Sequence, residues 1–363
     1  MSPTTSLRSR IAPSPDRPRK HARLVEILDA HGADRILLTG TEALAWYFDG
    51  PRTAVPLGGA PVFSATVHRD GTAVVTALAN EAERLAHEEI AGAEFRVIDW
   101  FGDLQAADPG TLRETDATAE LRAARASLLP FERERYAALG RDMAAALTRV
   151  LSAVTPRTTE RELAGALSRA IYEAGAEPAV TLVAGASRAH VQHPLPTDAA
   201  LGDRAMGVAT GRRHGLHVSV TRWVRFAPED SATRDAERRL LEVEADVWAA
   251  TVPGRTLDDV LGDIRAAYAR QGFGPDAWLR HHQGGPTGYN GRDPKAAPGS
   301  TDLVRAGQAF AWNPWAHADG VGVKTEDTVI VDGDGSVTAL SADPAWPTLD
   351  VRGIARPATL DLS

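Results

Sequence analysis

The stretch Pro156-Arg-Thr-Thr-Glu-Arg-Glu-Leu-Ala-Gly-Ala-Leu-Ser-Arg-Ala-Ile-Tyr-Glu-Ala-Gly175 decides the reading of this chain, because its pattern occurs twice. The second copy is Pro253-Gly-Arg-Thr-Leu-Asp-Asp-Val-Leu-Gly-Asp-Ile-Arg-Ala-Ala-Tyr-Ala-Arg-Gln-Gly272. Pro156, Thr159, Gly165 and Gly175 fall without gaps on Pro253, Thr256, Gly262 and Gly272, and Leu163 and Leu167 fall on Val260 and Ile264. Thr159 with Glu162 three residues on is a capping box, so a helix opens there; it ends at Gly175. A longer helix precedes each copy, predicted over Phe131 to Val154 and over Ala232 to Thr251. A β-rich segment follows each copy. Strands are predicted at Val180 to Val183, Ala205 to Thr210 and Leu216 to Val224, then at Ala309 to Trp312 and Thr328 to Val331. A duplicated helix–helix–strand unit implies two similar lobes with a site between them.

Upstream, a helix over His21 to Ala30 is followed by an apolar strand at Arg35 to Thr39. Ala43 to Phe48, Val62 to His68 and Thr72 to Ala77 read as strands, the last two around a turn at Asp70-Gly71. Asn80 to Ile90 has helical spacing, and Phe95 to Ile98 is another strand. This alternation predicts a compact αβ domain. The expected division is a disordered lead-in over 1–20, a first domain over 21–125, a second over 126–345 and a C-terminal tail over 346–363. The fold class is α+β. The lead-in is rich in Ser, Pro and Arg and has no apolar core of signal-peptide length. A net charge of −8, with both signs well mixed, argues against a nucleic-acid partner. There is no cysteine, so disulfides and thiolate metal sites are excluded. No apolar run of spanning length occurs, which argues against a membrane span and points to a cytoplasmic protein.

Four motifs follow in order. Gly211-Arg-Arg-His-Gly215 leads to Ser219-Val-Thr-Arg222; then come His281-His-Gln-Gly-Gly-Pro-Thr-Gly288, Asn313-Pro-Trp315 and Gly322-Val-Lys-Thr-Glu-Asp-Thr-Val329. With the paired lobes, this order resembles the pita-bread fold of the methionine aminopeptidase, prolidase and creatinase family. Trp46-Tyr-Phe with Gly50 resembles the creatinase-type N-terminal domain of prolidases and aminopeptidase P. The resemblance covers nearly all of the chain from about residue 22. It implies a site in which two Asp, one His and two Glu hold two metal ions. The matching positions here are Ala209, Ser219, Gly285, Asn313 and Glu326. Hard divalent ions need several anionic oxygens or imidazoles. Only Glu326 supplies one, so no metal and no cofactor is expected.

The resemblance also implies a metal-free route, as in creatinase, with a histidine as proton shuttle. His193 matches that position in Ala189-His-Val-Gln-His-Pro-Leu-Pro-Thr197. Histidine titrates near neutrality and can take and return a proton. Glu326 shares a strand face with Lys324 and Thr328, and Asn313 stands where the family has Glu. Arg292 takes the place of a substrate-binding His and, with Tyr289, would grip an anionic group. His217, Ser219 and Thr221 alternate on one strand and should face the cleft together. His281 and His282 complete the candidate substrate-binding residues. The reading expected first is a metal-independent hydrolase or lyase acting on a C–N bond of a small polar, amino-acid-derived molecule. The alternatives are a non-catalytic ligand-binding relative and an Xaa-Pro-type metallopeptidase with an atypical metal site. The resemblance implies a homodimer.

Overall fold

The computed structural model describes residues 7–228, 230–318 and 320–363. The chain divides into two compact units, one formed by residues up to Arg135 with His214–Leu216, the other by Tyr136–Arg213 with His217–Ser363.

The first unit is built from helix α1 (Arg17–His31), strand β1 (Arg35–Leu38), α2 (Thr41–Tyr47), β2 (Phe63–His68), β3 (Ala73–Leu78), α3 (Ala82–Arg84), β4 (Glu94–Ile98), β5 (Leu112–Arg113) and α4 (Thr118–Ala126). Its five strands form one sheet in the order β4-β3-β2-β1-β5. Three expectations are corrected here. Ala43 to Phe48 is helical, not a strand. Trp46, Tyr47 and Phe48 are all buried, so neither a twofold nor a 3.6-residue alternation marks the segment. Asn80 to Ile90 holds one short α-turn followed by a wider π-type turn at Leu85–Glu89, in place of one helix. Of the expected lead-in, residues 1–6 lie outside the described residues, whereas Arg17 to Lys20 already belong to α1, with Pro18 in its first turn. Lys20 is fully buried. Its ammonium lies 2.8 Å from Asp49 Oδ1 and 3.0 Å from Glu132 Oε1, partners no local pattern announces.

The second unit carries the duplication. One half is α5 (Pro130–Leu151, its first residues counted with the other unit), α6 (Glu160–Glu173), β6 (Glu177–Gly185), β7 (Arg204–Arg213) and β8 (Leu216–Arg225). The other is α7 (Ser231–Ala250), α8 (Leu257–Arg270), β9 (Gly284–Thr287), β10 (Gln308–Trp312), β11 (Trp315–Ala318), β12 (Val321–Lys324), β13 (Asp327–Val331) and β14 (Val337–Ala339). Both capping boxes form: Thr159 accepts from the Glu162 amide and Thr256 from the Asp259 amide. Each capped helix ends at a glycine with φ +72°, Gly175 and Gly272, in the left-handed region a side chain disfavours. Each capping threonine also bridges to the segment returning to its lobe, Thr159 to Ala200 and Thr256 to Leu303. The two copies therefore agree in caps, stops and tertiary contacts.

The two four-stranded sheets run β17-β8-β7-β6 and β14-β13-β10-β9, where β17 is the short strand Leu360–Asp361. They meet where Thr221 of β8 pairs with Glu326, its amide 3.0 Å from the Glu326 carbonyl. The Ser219 amide donates to Thr328 Oγ1 at 2.8 Å along the same line. Residues 346–363, expected as a tail, form the hairpin β15 (Thr348–Val351) and β16 (Ile354–Pro357), then β17 beside β8. Arg356 of this hairpin is buried and ion-paired with Glu244 at 2.7 Å and Asp327 at 2.8 Å. Asp327 also takes Arg222 at 2.9 Å, and the set lies one residue beyond Glu326. A charged anchor hidden in a polar C-terminal stretch leaves no periodic signal, which is why the segment reads as a tail.

Candidate functional site

A cavity of about 410 Å³ opens in the second unit beside the meeting line of its sheets. β8 contributes His217 and Ser219, the end of β12 contributes Lys324, the link from β12 to β13 contributes Glu326, and the turn after β10 contributes Asn313. His282, Asn290, Arg292 and Lys295 reach it from the segment around β9. His193 comes from the loop between β6 and β7. Buried Glu160 fastens that loop: its carboxylate accepts from the Gly185 amide at 2.9 Å and from the Thr197 amide and hydroxyl at 2.9 and 2.7 Å, and it pairs with Arg188.

The sequence expectations meet the geometry unevenly. His193, His217, Ser219, His282, Arg292, Asn313 and Glu326 line one cavity. His281 stands behind it, buried, with Nε2 3.2 Å from His193 Nε2. Tyr289 is buried and is not among the lining residues. Ala209 is corrected. On β7 the residues facing the cavity are Val208 and Thr210, and Ala209 between them belongs to the other face of the strand. Asn290 and Lys295 also line the cavity although no motif contains them, and Lys324, which the sequence presents only as a neighbour of Glu326, lines it too. Its signal was present, two residues from Glu326 on an alternating strand.

Glu326 is already engaged. Arg292 Nη2 lies 2.5 Å from its Oε1, and Thr221 Oγ1 donates to its Oε2 at 3.3 Å. Lys324 is fully enclosed, 3.5 Å from His281 Nε2 and 3.4 Å from the Gln192 carbonyl. Burial, reinforced by Arg292 and opposed by Glu326, draws the Lys324 ammonium down to about 8. Burial, then the charge of Lys324, pushes His281 down to about 2; burial, then Arg292, pushes His282 down to about 3. His193 is lowered as well, by burial first and Lys324 second. Near neutral pH the three imidazoles are therefore uncharged.

The side chains do not fit a dinuclear metal centre. Val208 or Ala209, Ser219 and Gly285 offer no anionic oxygen or imidazole, and Asn313 only a neutral amide. Gly285 is decisive. Its φ is +142°, and a Cβ placed there would lie 2.7 Å from the Pro294 carbonyl and 2.9 Å from the Ala296 amide. The backbone has closed over the space an imidazole would need. The nitrogens of His193, His281 and His282 do lie within 4.8 Å of one another. An ion on His281 Nε2 would, however, meet the Lys324 ammonium 3.5 Å from that atom.

Paired helix–helix–strand lobes around a cavity at the join of two sheets define a pita-bread fold of the prolidase type. The chain belongs to metallopeptidase family M24, whose profile matches residues 134–333. Among solved structures it is similar to an Xaa-Pro dipeptidase from Bacillus anthracis, with a TM-score of 0.76 and 17% identity over 95% of this chain and 100% of that one. The prolidase from Pyrococcus horikoshii OT3 has a TM-score of 0.72 and 16% identity over 89% of this chain and 98% of that one. The N-terminal domain of FACT complex subunit SPT16 from Cicer arietinum (chickpea) has a TM-score of 0.63 and 13% identity over 90% and 97%. A search of curated proteins finds no significant match. No helix among the described residues is long and apolar enough to cross a membrane.

Proposed function

We propose that this M24 member works without a dinuclear metal centre, as a hydrolase or lyase acting on a C–N bond of a small polar, amino-acid-derived substrate. The observation that carries the proposal is the cavity itself: it keeps His193 uncharged at its edge, while the position of the family's metal-binding histidine is glycine with no room for a side chain. In the hydrolytic form His193 takes a proton from water as the water oxygen bonds to carbon. The C–N bond breaks, and the same proton passes to the leaving nitrogen. Asn313, whose Oδ1 is buried with no hydrogen-bond partner among the described residues, would accept from a substrate N–H. Arg292 would bind an anionic end. The resemblance to two-domain relatives supports a homodimer, which sedimentation would check.

The test is turnover of a panel of amide, ureido and guanidino acids before and after exhaustive chelation. Unchanged turnover in chelator is expected. Activity abolished by chelation and restored by Mn²⁺, Co²⁺ or Zn²⁺ would sink the proposal in favour of a metallopeptidase. A second reading, a binding protein without turnover, is favoured by one fact: Glu326 and His193, the groups that would carry the chemistry, are already engaged, by Arg292 and Thr221 and by His281. Ligand affinity that survives His193→Ala, with no turnover in either form, would support it.

A further inference from the structure

The cavity has two chemistries. One part is apolar, made by Val180 and Leu182 of β6 and Val208 of β7. Another part gathers Arg292, Lys295 and Lys324 around a single carboxylate, Glu326. Arg292 is the cation that Glu326 takes, at 2.5 Å. Lys324 finds only a carbonyl at 3.4 Å and an imidazole at 3.5 Å, and among the described residues no carboxylate pairs with it or with Lys295. With the histidines uncharged, the pocket holds two positive charges more than it neutralises. Lys324 is buried, and a buried charge without a counter-charge of its own is costly, so a ligand carboxylate is favoured beside it; Lys295 is exposed and solvated, and offers a second cation to the same ligand. A second set of atoms points to the same ligand: Asn313 Oδ1 and His282 Nδ1 are buried, have no hydrogen-bond partner among the described residues, and belong to cavity-lining residues.

We infer that the substrate is a dianion, an N-acyl or N-carbamoyl derivative of a dicarboxylic amino acid, with one carboxylate toward Arg292 and Lys324, the other toward Lys295, and its N–H toward Asn313. The inference rests on the metal-free reading of this cavity, because two bound cations would change the charge count. A free dipeptide is disfavoured by the same count. Its α-ammonium would meet Lys324 and Lys295, and like charges repel. The apolar part of the cavity suits an acyl group or the methylene stem of the diacid.

The experiment is calorimetric titration of the purified full-length protein in chelator, with four probes: N-acetyl-L-aspartate, N-acetyl-L-glutamate, N-acetyl-L-alanine and Ala-Pro. The two dianions should bind at least about tenfold more tightly than the monoanion, with the zwitterion weakest. Lys295→Ala, at an exposed position, should bring the dianions to the monoanion's affinity and leave Tm unchanged. Lys324→Met should do the same, and Lys295→Ala carries the test if that variant fails to fold. Equal affinities for dianion and monoanion, tightest binding of Ala-Pro, or no binding of any probe would overturn the inference. A metal requirement for turnover would overturn the preceding reading instead, and the affinity order in chelator keeps the two failures apart.

Discussion

At the scale of single residues, Gly285 and His193 carry the sharpest consequences. Gly285→His would place a side chain against the Pro294 carbonyl, so it should lower stability by about 2 kcal/mol or more and should not create metal affinity. Differential scanning calorimetry and metal analysis of the variant check both halves. His193→Ala should reduce turnover by about 10²–10⁴-fold if the histidine shuttles the proton. Because burial and Lys324 lower its pKa, the acid limb of kcat/KM should fall below pH 6.5, the usual value for histidine. Lys295→Ala should leave that limb closer to the wild-type position than Lys324→Met, since Lys324 is the stronger influence. Much of this site was legible one residue at a time. Asn313 and Glu326, taken from the motifs, and His193 and Arg292, taken from the family resemblance, line one cavity. What the order could not show was pairing. Arg292 lies outside the motifs and 34 residues from Glu326, and only the fold brings them to 2.5 Å. Ala209 was misplaced because a one-residue offset on a strand reverses the face.

At the scale of elements, local chemistry was read most securely. The capping boxes at Thr159 and Thr256 use atoms within four residues, so tertiary structure had little to add. Thr159→Ala or Thr256→Ala should each cost about 1 kcal/mol, measurable by urea denaturation with an unchanged m-value. Glu160 lies beside the first cap and does something different. It holds both ends of the loop that carries His193, through Gly185 and Thr197. Glu160→Ala should therefore lower turnover as well as stability, whereas Thr159→Ala should lower stability alone. The elements misread were those whose character depends on surroundings. Ala43 to Phe48 is buried on all sides and has no period to read, and the hairpin at 348–357 is anchored by long-range ion pairs of Arg352 and Arg356.

At the scale of the whole molecule, the buried titratable groups set the pH response. His281 and His282 have folded-state pKa values depressed to about 2 and about 3. Their contribution is complete above the unfolded value near 6.5 and is lost as pH falls from there toward 3, at up to about 1.4 kcal/mol per pH unit for each. Buried Glu244, raised by desolvation, acts in the opposite sense. Thermal melts between pH 7.5 and 4 should show a falling Tm, and His282→Phe should flatten that fall. Arg356→Met would strand Glu244 and Asp327 in the interior and should cost about 3–5 kcal/mol, part of it recovered by adding Glu244→Gln. Arg356 is also translated 112 residues after Glu244, its buried partner. Until residue 356 has been made, the helices and strands of both lobes up to β14 are already translated while Glu244 waits for its partner. The lobes should therefore become protease-resistant only once residue 356 has emerged, and a pulse of protease on stalled chains with that residue inside or outside the ribosome would time that moment.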